Sequence, residues 1–122
     1  MTNPLRGEVA LVLGDLRLTL KMGVNTLCAA ESVLGKKAAA ILDDMEDKDA
    51  GPALDTIRML IWAGLRKHHP AYSPNEIGEL IEEHGPAIFT NAILDGLASA
   101  FGTTEGKQGA NPPKRRKKTG TG

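Results

Sequence analysis

An α+β fold is predicted for this 122-residue chain: an N-terminal β-hairpin packed on four or five short α-helices, with a disordered basic C-terminal tail. Three observations predict it. Leucines alternate with polar residues up to Lys21, which is a period of two. Beyond Asn25 the apolar residues recur at three- and four-residue steps instead. At Gly102 the charge and the composition both change abruptly.

The hairpin is expected over Glu8 to Lys21. Leu11 and Leu13 share one face of its first segment, and Leu16, Leu18 and Leu20 share one face of the second. Gly14-Asp15 lies between them, and Gly at the first turn position suits a two-residue type II′ turn. A lone hairpin is marginal in water, so helices must cover its leucine face.

The first helix is expected to be capped by Asn25 or Thr26 and stopped by Gly35, with Leu27, Ala30 and Leu34 on one side. A second, short helix runs from Lys36 to about Met45. The acidic stretch that follows it, from Asp43 to Asp49, reads as a solvated connection. Gly51-Pro52 opens a third helix reaching about His68, with Leu54, Ile57, Ile61 and Leu65 inward. Ser73-Pro74-Asn75-Glu76 is a capping box with proline at the first helical position. It starts a fourth helix with Ile77, Leu80 and Ile81 inward, ended by Gly85. Pro86 opens the last helix, whose core residues are expected to be Ile88, Phe89, Ala92, Ile93, Leu97 and Phe101.

The formal net charge of zero conceals a split. Residues 1–102 carry nine Lys/Arg and 14 Asp/Glu, while residues 103–122 carry six Lys/Arg and one Glu. Ala110 is the only apolar residue of the second segment, which therefore cannot offset the entropy of ordering. Residues 1–102 are read as the folded domain and 103–122 as the tail. No apolar run approaches the roughly 18 residues of a membrane span. A single cysteine and no secretory-type start suit a soluble protein of a reducing compartment.

Motifs for chemistry are sparse, and neither a catalytic, a metal nor a cofactor site is expected. Gly102 to Lys107 has three residues between its glycines and lacks the Ser or Thr of a phosphate loop. The acidic stretch misplaces the glycine and the final glutamate of a calcium loop. His68 and His84 are expected to complement helix dipoles; a weak metal site with Glu79 or Glu83 is the alternative. Cys28, with no cation within one turn, reads as a buried structural thiol.

Two features point to partners. Trp62, the only tryptophan, is expected at the edge of the core stripe, and if exposed is a contact anchor. Lys114, Arg115, Arg116, Lys117 and Lys118 form a run of cations suited to an acidic protein surface or to phosphates. No aromatic residue interleaves with them, which argues against base stacking.

The order of local motifs resembles a known family. Asn3-Pro4-Leu5-Arg6-Gly7-Glu8-Val9 precedes the hairpin, and Leu27-Cys-Ala-Ala-Glu31-Ser-Val-Leu34-Gly35 follows it. Then come Leu60-Ile-Trp62-Ala-Gly-Leu65, Ile77-Gly78-Glu79-Leu80-Ile81 and Ile93-Leu-Asp-Gly-Leu97-Ala-Ser-Ala-Phe101-Gly102. This arrangement is similar to the small tail protein of gene transfer agents and siphophages of alphaproteobacteria, labelled both tail assembly chaperone and tail tube protein. The basic tail departs from that pattern.

The resemblance implies a non-enzymatic role in tail morphogenesis. A chaperone would bind the tape measure protein, or other tail proteins, in the cytoplasm of the bacterial host. The alternative is a structural tail component that stays in the virion or gene transfer agent particle. A single hairpin favours the chaperone, since ring closure needs a larger sheet. Opposite charges on domain and tail would also favour a homo-oligomer at low salt. A nucleic-acid binder using the basic run is the further alternative, which the acidic domain opposes.

Overall fold

The computed structural model describes residues 6–102. The hairpin comprises β1 (Glu8–Leu13) and β2 (Leu16–Lys21). Five helices follow: α1 (Val24–Leu34), α2 (Ala38–Met45), α3 (Leu54–Leu65), α4 (Pro74–His84) and α5 (Pro86–Phe101). This is the α+β architecture expected from the period change. The basic run Lys114–Lys118 lies outside the described residues.

β1 and β2 pair antiparallel, with Leu13 opposite Leu16, Leu11 opposite Leu18 and Val9 opposite Leu20. Gly14 has φ 63°, the positive value that a two-residue hairpin turn demands at this position. Leu11, Leu13, Leu18 and Leu20 are buried, so the alternation does define one covered face. Helices α3 and α5 cover it. Ala10, Val12 and Arg17 on the opposite face are exposed.

The core is aliphatic apart from Phe89. Leu60, Ile61, Ile77, Phe89 and Ile93 join the hairpin leucines, together with Met22, Ile41 and Met45. Met22 is fully buried and sits where three glycines converge. A Cβ on Gly64 of α3 would lie 2.6 Å from Met22 Cε, and one on Gly96 of α5 would lie 2.5 Å from Met22 Cγ. At Gly7 (φ 86°) a Cβ would lie 2.0 Å from the Met22 carbonyl oxygen. The Met22 amide donates to the Gly7 carbonyl at 2.8 Å. Small residues on both helices thus let them close on the end of the hairpin.

The N-terminal strap is tied to the end of α5. Arg6 Nε donates to the Ala100 carbonyl at 2.6 Å, and the Gly7 amide donates to Ser99 Oγ at 2.9 Å.

Several helix boundaries differ from expectation. The N-cap of α1 is Gly23, not Asn25 or Thr26; Thr26 lies inside the helix and its hydroxyl donates to the Lys21 carbonyl at 2.6 Å. Helix α3 begins at Leu54 and ends at Leu65, so Pro52 precedes its N-cap and His68 lies beyond it. Its start is held from outside, because Asp44 Oδ2 of α2 accepts the Ala53 amide at 3.0 Å. In the same way Glu31 Oε2 of α1 accepts the first amide of α2, that of Ala38, at 2.7 Å. The acidic stretch is therefore not merely solvated. Asp47 Oδ1 accepts the amides of Asp49 and Ala50, closing a local turn.

The capping box at Ser73 and Glu76 is formed in both directions, with Pro74 opening α4. Gly35 and Gly102 stop α1 and α5 in left-handed conformations. Leu54, Ile88 and Phe101 are exposed rather than core, at 64%, 38% and 43%. Leu54 and Phe101 stand at helix ends and Ile88 in the first turn of α5, where a helix stripe runs past the core. Cys28 is also exposed, because the buried side of α1 is set by Thr26, Leu27 and Ala30.

Candidate functional site

A concavity among the described residues lies between α3 and α4. It is an open groove of about 600 Å³, lined by Leu54, Asp55 and Arg58 of α3 and by Gly78, Ile81 and Glu82 of α4, with Gly85 and Pro86 at its end. Its floor is apolar and its rim is charged.

Each wall follows from local sequence. Asp44 fixes the start of α3, which projects Leu54 outward at the mouth of the groove. The Ser73–Glu76 capping box fixes the start of α4 and its buried stripe of Ile77 and Ile81. Gly78 has no side chain, and a Cβ there would meet Arg58 Cδ at 3.6 Å, so the Arg58 stem lies across it. Arg58 Nη2 pairs with Asp55 Oδ1 at 2.8 Å, one turn away on the same helix. Arg58 Nε is buried and has no hydrogen-bond partner among the described residues. Such an N–H gains from an acceptor brought by a ligand.

Trp62 belongs to the same surface. Leu54, Arg58, Trp62 and Arg66 follow at four-residue steps, so they form one ridge along α3 and its end. The indole is half-buried against the core, as an edge residue of the stripe. The Arg66 guanidinium lies 4.9 Å from the ring centroid, a cation–π contact that covers part of the remaining face. Among the candidate partner residues, Trp62 is the one inside the described region. Its neighbours Leu54 and Arg58 were not singled out by sequence. The signal that would have found them is the same four-residue step, read outward instead of inward.

The histidines are used within the fold. His68 Nε2 donates to Glu8 Oε2 at 2.8 Å, and Lys67 Nζ lies 4.0 Å from the same oxygen. The hydrogen bond from His68, with the nearby charges of His68, Lys67 and Lys21, holds the Glu8 carboxyl below its usual value. His69 Nε2 accepts the Thr19 amide at 3.0 Å, so that nitrogen carries no proton. His84 is 3.9 Å from Glu83 on α4. Among the described residues no group of three or more His, Cys, Asp and Glu side chains is placed to hold a metal ion. Among the described residues no helix is long and apolar enough to cross a membrane.

Comparison of the chain with protein-family models, with curated proteins and with solved structures returned no match.

Proposed function

We propose that this chain works by binding another protein in the α3–α4 groove, as a tail assembly chaperone that holds an apolar helical stretch of the tape measure protein. The observation that carries the reading is Leu54, 64% exposed at the mouth of a groove floored by Ile81 and rimmed by Asp55, Arg58 and Glu82. An apolar groove with a charged rim suits the apolar face of an amphipathic helix. Trp62 and Arg66 extend the contact along the same ridge. The resemblance to the small tail proteins of gene transfer agents supplies the partner, a long helical chain that needs covering before the tube forms.

Co-expression with tape measure fragments and affinity purification tests this. A helical fragment should copurify with the chain, and Leu54→Asp should weaken its binding about tenfold, the usual effect of losing an apolar anchor. Aspartate in the first turn of α3 suits the helix dipole, so the fold is expected to survive. Unchanged binding by Leu54→Asp sinks the groove assignment. Mass spectrometry of mature particles separates a chaperone, which leaves, from a structural tail component, which stays.

A further inference from the structure

The two edges of the hairpin are treated differently. In an antiparallel pair, alternate residues turn their amide and carbonyl inward to the partner strand and outward to the edge. The bond from the Met22 amide to the Gly7 carbonyl sets the phase. With the register of the pair, it turns Arg17, Thr19 and Lys21 of β2 outward, and Glu8, Ala10 and Val12 of β1.

The β2 edge is partly occupied, and its outward residues Arg17 and Lys21 are cations that guard it. Its Thr19 amide is taken by His69 Nε2, and its Lys21 carbonyl by the Thr26 hydroxyl. The outward amides and carbonyls of Glu8, Ala10 and Val12 have no partner among the described residues. The β1 edge also lacks the usual guards. It contains neither Lys, Arg nor Pro, and its one charge, Glu8, is already engaged by His68 and Lys67. Ala10 and Val12 are exposed beside it.

We propose that β1 pairs antiparallel with β1 of a second copy, about a two-fold axis at Ala10, to give a four-stranded sheet. In this register Ala10 faces Ala10 of the other copy and Glu8 faces Val12, so every outward group of β1 is paired and no like charges meet. The axis stands perpendicular to the sheet, and both leucine faces fall on the same side. That brings together the two α5 helices, each packed on its own β1. Leu94 and Phe101 are exposed and lie two turns apart on one flank of α5.

Sedimentation equilibrium of the full chain tests the pairing. The wild type should be a dimer. Ala10→Lys and Ala10→Glu place like charges directly opposite and should each weaken self-association about tenfold or more. An equimolar mixture of the two variants should regain the dimer. Circular dichroism melts check that each variant folds. Val12→Glu, at a position 41% exposed, is a second variant that sets like charges against Glu8 of the other copy and should weaken the dimer too. A monomeric wild type, or a dimer unmoved by these substitutions, overturns the proposal. The α3–α4 groove is elsewhere on the surface, so Leu54→Asp leaves the dimer intact and the two readings fail separately.

Discussion

Met22 occupies the volume that Gly96 leaves empty: a Cβ on Gly96 would lie 2.5 Å from Met22 Cγ and 3.1 Å from Met22 Cβ. This contact joins the end of the hairpin to the middle of α5, and it decides the sign of a substitution. In an open helix position Gly→Ala would stabilise by about 1 kcal/mol. Here Gly96→Ala should destabilise by roughly 1–3 kcal/mol, because Met22 is fully buried and cannot swing away from its own stem. Gly64→Ala should cost less, since the atoms it meets are the flexible ends of Leu20 and Met22. Urea denaturation of both variants checks the order. A Gly96→Ala protein more stable than wild type would contradict the packing.

The Asp44 carboxylate faces the Thr56 hydroxyl and accepts the Ala53 amide, and these two contacts, in that order, hold it below its usual value of 3.8. The hydroxyl of Thr56 is buried, and its approach is looser than a formed hydrogen bond, yet near enough to favour the charged carboxylate. A carboxyl depressed in the folded state stabilises fully above its unfolded value. That stability is lost as pH falls from there through the lower, folded value, since the unfolded chain binds the proton first. Asp44→Asn keeps an oxygen acceptor and removes only the charge, so it should destabilise by about 0.5 kcal/mol at neutral pH, the usual worth of a negative charge at a helix start. The gap between variant and wild type should shrink as pH drops below 3.8. Chemical denaturation at neutral and acid pH measures it, and a gap independent of pH would rule out the charge as the cause.

The elements whose signals are local were legible in the sequence. The alternating leucines gave the hairpin and its buried face, and Ser73 to Glu76 gave the start of α4, because both depend on residues within a few positions. The starts of α2 and α3 were not legible. Their amides are held by Glu31 and Asp44, seven and nine residues upstream, and no local pattern marks a carboxylate that acts across a turn of the chain. Thr26 misled for the same reason: its hydroxyl looks like a cap but serves the Lys21 carbonyl. For the candidate site, Trp62 was visible as a rare residue. The groove beside it needed the packing angle of α3 against α4, which periodicity does not contain. Periodicity also placed Leu54, Ile88 and Phe101 inside, since it reports the direction of a stripe and not where the core ends.

The reciprocal bonds of Ser73 and Glu76 offer a further test, one that links the candidate groove to its scaffold. Ser73 Oγ accepts the Glu76 amide at 3.1 Å, and Glu76 Oε1 accepts the Ser73 amide at 2.8 Å. Both are exposed enough that water replaces a lost partner, so Ser73→Ala should destabilise by about 1 kcal/mol without unfolding the protein. The loss should appear locally. Ile77 and Ile81 anchor α4, and Ile81 also floors the groove, so fraying of the first turn loosens one wall of the site. Hydrogen exchange should show faster amide exchange over the first turn of α4 in Ser73→Ala, with β1, β2 and α5 changed only by the global loss. Ser73→Asp restores an acceptor and favours the helix N-terminus, and should recover most of the protection. Uniform acceleration across all elements, or no recovery with aspartate, would show that the capping box does not hold α4 in place.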